Sequence, residues 1–162
     1  MADADKKENK LQSPAKEDRC TKTHVMICID ASEHSTRVVE WTAKHLRADK
    51  VTMVHVYNYQ MVHPSLTDVD RARREHAIQV GKDLLNQLSH KASVAGMKVD
   101  ELKLLAPDEG AAKYIILKYV QKVRPTVLVC GTRGMGAVSR AFLGSVSDYL
   151  THNCPCTVTV VN

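Results

Sequence analysis

The sequence predicts an α/β protein built as a single doubly wound, five-stranded parallel sheet with helices on both faces. Two observations carry that prediction. Five short apolar runs of strand length alternate with four segments of helical period, and the connectors are short apart from residues 58–67 and 131–144. The first of these runs, His24 to Asp30, is nearly continuous, as a strand buried on both faces is. Such alternation calls for right-handed crossovers onto a parallel sheet, a Rossmann-like arrangement.

The elements follow in order. Residues 1–22 are dominated by Lys, Glu, Asp, Asn and Ser and read as a flexible polar tail, because they bury too little surface to offset ordering entropy. His24 to Asp30 is the first strand. Ser32 and Ser35 offer N-caps to a helix whose apolar side runs through Val38, Val39, Thr42, Ala43, His45 and Leu46. Val51 to Tyr57 is the second strand. A long helix begins at Asp68, with Ala77, Val80, Leu84, Leu88, Ala92 and Ala95 recurring at helical spacing and Gly96 as its stop. Val99 to Leu105 alternates as the third strand, and Pro107-Asp-Glu-Gly110 is turn chemistry. Ala112, Ile115, Ile116, Tyr119, Val120 and Val123 trace the third helix, which Pro125 ends. Thr126 to Cys130 is the fourth strand, a glycine-bearing loop spans Gly131 to Gly144, a short helix starts at Ser145, and Cys156 to Val161 is the last strand.

Length and composition bound the function. The chain has 162 residues and 18.0 kDa, enough for one ordinary domain. Lys plus Arg at 23 against Asp plus Glu at 18 gives +5, too dispersed for a nucleic-acid footprint. Trp41 and Phe142 are each alone of their kind, which argues against base-stacking platforms. No apolar run approaches the roughly 18 residues of a membrane span, and the opening residues lack a signal peptide's apolar stretch, so a cytoplasmic protein is expected. Five cysteines, Cys20, Cys28, Cys130, Cys154 and Cys156, form no disulfide framework. Cys154-Pro-Cys156 beside His152 makes half a zinc site without the other half, so reduced thiols are the reading.

The stretch from Val127 to Ser147 is the informative one. A buried strand delivers the chain to Gly131, and glycines permit close approach of a ligand to the backbone. Gly144-Ser145 then opens a helix whose free N–H groups and dipole favour an anion. Arg133 and Arg140 add charge, while Ser145 and Ser147 add hydroxyls, so the stretch reads as a phosphate cradle. It is not a Walker loop, since no glycine is followed by Lys and then Ser or Thr; Gly81-Lys82 runs into Asp83. Nor is it a dinucleotide fingerprint, because position 139 is Ser and the segment follows the fourth strand.

Gly131-x2-Gly134-x9-Gly144-Ser145 resembles the signature of the universal stress protein family, in its ATP-binding branch. The first strand ending at Asp30 before Ser32, the end of the second strand at Val54-His55-Val56, and Cys154-Pro-Cys156-Thr-Val-Thr-Val are similar to that family's flanking elements. The resemblance spans residues 23–162. It implies an adenine nucleotide alpha hydrolase-like fold that binds ATP, AMP or ADP, with Mg²⁺ carried by the phosphates rather than by protein ligands. It implies Asp30, with Ser32 after it, at the ribose or adenine, and the Val56 backbone at the adenine edge. Gly131 and Gly134 would wrap the ribose and phosphates, and Arg133 would partner the phosphates. Gly144, Ser145, Val146 and Ser147 would present N–H and hydroxyl groups to them. Cys28, where some members carry Pro, departs from the pattern and bears on the base pocket.

Several of these residues have plainer readings. Asp30 also suits a helix cap, His55 a satisfied core histidine, and the run Arg71, Arg73, Arg74, Glu75 a solvated helix face. Gly136 serves as a spacer, and Ser139 sits on the same loop. The last strand, Thr157 to Val161, is expected at a sheet edge, and the resemblance implies a homodimer through it. The implied function is a nucleotide-responsive regulator of the stress response with at most slow hydrolysis, because no water-activating base is evident and no catalytic residue is assigned. The alternative is an ATP hydrolase or nucleotidyl transferase on the same fold, with Asp30 or His55 as base.

Overall fold

The computed structural model describes residues 22–59, 67–107, 110–132 and 143–162. The elements run β1 (His24–Ile29), α1 (Glu33–His45), β2 (Lys50–Val56), α2 (Thr67–Val94), β3 (Glu101–Leu105), α3 (Ala112–Val123), β4 (Val127–Gly131), α4 (Ser145–Asn153) and β5 (Thr157–Val161). The strands form one parallel sheet in the order β3-β2-β1-β4-β5. The doubly wound prediction therefore holds, with β1 as the central strand and the reversal of winding between β1 and β4. In such a sheet the crevice beyond the carboxyl ends of those two strands is the ligand position.

The period-2 alternation along the central strands divides the core into two layers. Val25, Ile27 and Ile29 of β1 face Val38, Val39 and Ala43 of α1 and Leu85, Leu88 and Ala92 of α2. Met26 and Cys28 face the opposite way, with Val54, Leu128 and Cys130, against Ile116 and Val120 of α3 and Leu150 of α4. Each fully buried Leu, Ile or Met there contributes about 1.5–3 kcal/mol relative to exposure.

The long helix corrects one expectation. Its buried stripe is Gly81, Leu85, Leu88 and Ala92, whereas Val80 is half exposed and Ala95 lies outside the helix on the surface. The cause is steric. A Cβ at Gly81 would stand 2.7 Å from Leu104 Cδ1 and 3.3 Å from His55 Cδ2, so α2 approaches β2 and β3 through its one residue without a side chain. That contact rotates the helix and brings Leu85 rather than Leu84 fully into the core. The helix ends are better matched to the sequence: Gly96 takes a φ of 82°, and Arg124 closes α3 in the left-handed region immediately before Pro125.

Candidate functional site: the crevice between two strand–helix junctions

The carboxyl ends of β1, β2 and β4 open into a cleft of about 1910 Å³, above the roughly 300–1,000 Å³ of an ordinary small-molecule pocket. Its walls include Asp30 and Ser35 from the β1–α1 junction, Val56 and Tyr57 from the end of β2, and Gly131 with Gly144 to Ser147 from the β4–α4 junction. Residues about a hundred positions apart thus converge because parallel strands all deliver their carboxyl ends to the same edge.

At the first junction the Asp30 carboxylate is held rigidly. Its Oδ1 accepts the backbone N–H of Ser32 at 3.0 Å, the Ser32 hydroxyl, and the Ser35 hydroxyl at 2.9 Å. Ser35 Oγ in turn accepts the Asp30 N–H at 2.7 Å. Ser32 occupies the N-cap position of α1, but neither it nor Ser35 makes a side-chain cap bond there, contrary to their expected use. Their hydroxyls go to the carboxylate, a stronger acceptor that favours charge-assisted bonds. Ser35 lines the cleft directly, while Ser32 supports Asp30 from behind.

The second junction has the opposite character. Gly144 is the N-cap of α4 and supplies no side-chain cap. Its own N–H donates to the Thr132 carbonyl at 2.6 Å, and the first helical bond runs from Asp148 N–H to the Gly144 carbonyl at 2.9 Å. The N–H groups of Ser145, Val146 and Ser147 precede that bond and have no carbonyl four residues back inside the helix. The Ser147 hydroxyl, expected among the ligand donors, is buried and bonds the carbonyls of Thr132 at 3.1 Å and Gly144 at 2.9 Å. It ties the start of α4 to the end of β4. Arg133, Gly134, Gly136, Ser139 and Arg140 lie outside the described residues, as do most of the amino-terminal tail and Cys20.

Between the junctions, Val56 is the last residue of β2. The Tyr57 N–H bonds the Leu105 carbonyl at 3.2 Å on the β3 side, so strand alternation turns the Val56 backbone groups toward β1, which ends at Ile29. His55 Nδ1 lies 3.0 Å from the Ile29 carbonyl, which only accepts, so that ring nitrogen carries its proton and is spent on structure. The cleft floor includes Cys28 and Cys130. Burial drives the Cys28 thiol well above its usual range and pushes Cys130 up to about 12, so both behave as small neutral apolar groups.

The wall formed by α2 was not foreseen. Arg73 and His76 line the cleft beside Tyr57 and Tyr59. Arg74 Nε donates to the Tyr57 hydroxyl at 3.3 Å, and its guanidinium lies 6.0 Å from the Tyr59 ring centroid. The charge run read as solvated is exposed throughout, at Arg71, Arg73, Arg74 and Glu75 alike, with Arg71 paired to Asp68 at 3.0 Å. The available signal was Tyr57 at a strand end, with a helix beginning ten residues later. Among the described residues no group of three or more His, Cys, Asp or Glu side chains is placed to hold a metal ion, and no helix is long and apolar enough to cross a membrane.

A model of the universal stress protein family matches residues 22–162. The chain belongs to the universal stress protein family. A protein of Staphylococcus aureus (strain USA300) carrying the universal stress protein name is 30% identical over 149 residues, covering 87% of this chain and 84% of the relative. Among solved structures, the universal stress protein UspA of Lactobacillus plantarum superposes with a TM-score of 0.68 at 21% identity, covering 87% of this chain and 98% of its own. An Arabidopsis thaliana member solved with AMP bound superposes with a TM-score of 0.60 at 25% identity, covering 86% and 90%. The five parallel strands and four helices of this universal stress protein are thus the family fold.

Proposed function

We propose that this universal stress protein binds an adenine nucleotide, ATP above all, across the crevice between β1 and β4. The observation that carries the reading is the pairing of opposites across one cleft: a fixed carboxylate at Asp30 and a run of uncapped N–H groups at the start of α4. A nucleotide is a ligand class that presents both hydroxyl donors and a polyanion. Asp30, buttressed by Ser32 and Ser35, accepts the ribose hydroxyls. The Val56 backbone meets the adenine edge, and Gly131 with Gly134 lets the chain pass close to the sugar. The N–H groups of Ser145, Val146 and Ser147, with Gly144 beside them and Arg133 from the intervening loop, hold the phosphates. Mg²⁺ enters on the phosphates and keeps most of its waters. The AMP held by the Arabidopsis thaliana relative supports the same ligand class.

Hydrogen bonds to a charged group contribute roughly 1.5–3 kcal/mol each, so three or four of them plus base burial, less the cost of association, reach about −8 kcal/mol, or micromolar affinity. Hydrolysis is slow in this reading, because Asp30 and His55 stand at the ends of β1 and β2, where the sugar and base are placed, rather than at the α4 end that takes the phosphates. The protein then acts as a cytosolic regulator whose nucleotide state governs its assembly. Strand β5 lies at the sheet edge, paired on one side by β4 and by no strand of the described residues on the other, and a two-fold pairing of Thr157–Val161 with a second copy gives the homodimer.

Thermal unfolding with ATP, AMP, GTP and NAD tests the binding. Ligand at 100 times its dissociation constant adds about 2.7 kcal/mol, which raises the midpoint by roughly 5–10 °C for a domain of this size. No shift with any adenine nucleotide at millimolar concentration overturns the reading. Sedimentation at micromolar protein tests the dimer, and a species of 18.0 kDa alone, with or without ATP, refutes it.

A further inference from the structure

Helix α2 is longer than the sheet it covers. At about 1.5 Å per residue its 28 residues span roughly 42 Å, whereas the 7 residues of β2 span about 23 Å. Gly81 is the residue that meets His55 and Tyr57 at the end of β2, so residues 67–80 run on for about 21 Å beyond the carboxyl edge of the sheet. Two faces of that overhang differ. On one, Asp70 is buried and Arg74 donates to the Tyr57 hydroxyl. The other carries Val69, Ala72, Arg73, His76, Ala77 and Val80, at the spacing of a single helical face, and all of them line the large cleft. Val80 belongs here rather than to the core, and it and Val69 are each 51% exposed.

Room and charge distinguish this part of the cleft. Strand alternation puts His55 on the α2 side of β2, against Gly81, and Val56 on the other side with Cys28, Cys130 and Val146 of α4. The overhang therefore walls the part of the cleft that lies across the sheet edge from the start of α4. The whole cleft, at about 1910 Å³, is roughly twice the largest ordinary small-molecule pocket, so one nucleotide leaves the α2 side open. Arg71 is paired with Asp68, which neutralises the one carboxylate on this wall, and Arg74 is engaged with Tyr57. Arg73 has no ion-pair or hydrogen-bond partner among the described residues, and neither has His76 on the next turn. The wall thus joins half-exposed apolar side chains to an unpaired cation.

We propose that the α2 side of the cleft is a second ligand site, separate from the nucleotide, for a small amphipathic carboxylate. Its alkyl or aryl body lies along Val69, Ala72, Ala77 and Val80, a stripe about 16 Å long. Its carboxylate meets Arg73 and His76. A guanidinium offers two parallel N–H groups to a carboxylate, and a residue three positions on stands on the neighbouring turn, so His76 serves the same group. Arg73 repels a cationic ligand, and a wholly polar anion leaves the two valines in water. A molecule with one apolar end and one anionic end satisfies both halves of the wall. The assignment rests on the α2 face alone and does not require that a nucleotide fill the other side.

Calorimetric titration of the full chain with phenylbutyrate and with phenylbutylamine, which share one body and carry opposite charges, tests the site. The acid is expected to bind one to one and at least about tenfold more tightly than the amine. Arg73→Glu reverses that order, and Val80→Asp weakens the acid by at least about tenfold. Both positions are exposed, and far-ultraviolet circular dichroism checks that each variant keeps the fold. AMP affinity stays within about threefold in both variants, and saturating AMP changes the affinity for the acid by no more than that, as independent sites require. No saturable uptake of the acid, equal affinities for acid and amine, an unchanged order in Arg73→Glu, or competition between the acid and AMP would each overturn the proposal. A chain that takes up the acid but no AMP refutes the nucleotide reading and leaves the second site standing.

Discussion

At the β1–α1 junction a carboxylate sits where the strand ends, and two serine hydroxyls and a backbone N–H fasten it. At the β4–α4 junction the residue in the N-cap position is a glycine, the nearest buried hydroxyl turns away onto carbonyls, and the helix N-terminus faces the cleft without a side-chain cap. Both are ends of parallel strands passing into helices on opposite faces of one sheet. What separates them is the sign of the group each presents. The first carries its own anion and therefore suits hydroxyl donors, whereas the second exposes donors and suits an anion from outside. A ligand with a sugar at one end and phosphates at the other is oriented by that asymmetry alone.

Giving the second junction the character of the first is the most severe way to break this contrast. In Gly144→Asp a carboxylate caps α4 and stands where phosphate is proposed to bind. Nucleotide affinity measured by calorimetry is expected to fall at least about 100-fold, while thermal unfolding in the absence of ligand shows stability unchanged or raised by about 1 kcal/mol. Retained affinity would remove α4 from the site. Removing the charge from the first junction comes next. Asp30→Asn keeps an acceptor for Ser32 and Ser35 but loses the anion, and an affinity loss of about 10–100-fold is expected, equal for ATP and AMP because the ribose is common to both. A loss confined to ATP would mean that Asp30 acts on the phosphates instead.

Two smaller substitutions sharpen the contrast. Ser147→Ala deletes the bonds to Thr132 and Gly144, and denaturant titration is expected to show about 1–3 kcal/mol of lost stability with affinity changed less than about threefold. Affinity loss without destabilisation would return that hydroxyl to the ligand. Ser35→Ala leaves the Asp30 N–H and one carboxylate bond unmade. It is expected to cost about 1 kcal/mol of stability and to weaken nucleotide binding by about threefold, through a carboxylate less firmly placed. Binding unaltered to within error would show that Ser32 suffices to hold Asp30.

The order of elements was legible because each depends on neighbours along the chain. Continuous apolar runs marked β1 and β4, and Pro125 and Gly96 marked helix ends that the backbone confirms. Asp30 and Gly131 were legible as strand ends and Gly144, Ser145 and Ser147 through the glycine-bearing turn, while Val56 and Val146 followed only from the family resemblance; all of them line one cleft. Less was legible where side chains choose among partners. A serine after a strand is consistent with a cap, a ligand donor or a support for a neighbouring carboxylate, and nothing in Ser32, Ser35 or Ser147 distinguishes these uses. The cleft wall from α2 was hidden for a related reason, since a charged run at helical spacing looks the same whether it meets water or, like Arg74, a tyrosine from another element.

The chain itself determined five strands, four helices and the ends of the helices at Gly96 and Pro125, because periodicity, turn chemistry and the conformational range of glycine act over a few residues. Two things waited for the packed molecule: the stripe by which α2 meets the sheet and the destinations of the serine hydroxyls. Each is settled by groups distant in sequence competing for the same space or the same proton. Gly81 shows the principle at its plainest, for its missing side chain gains meaning only when Leu104 and His55 stand against it.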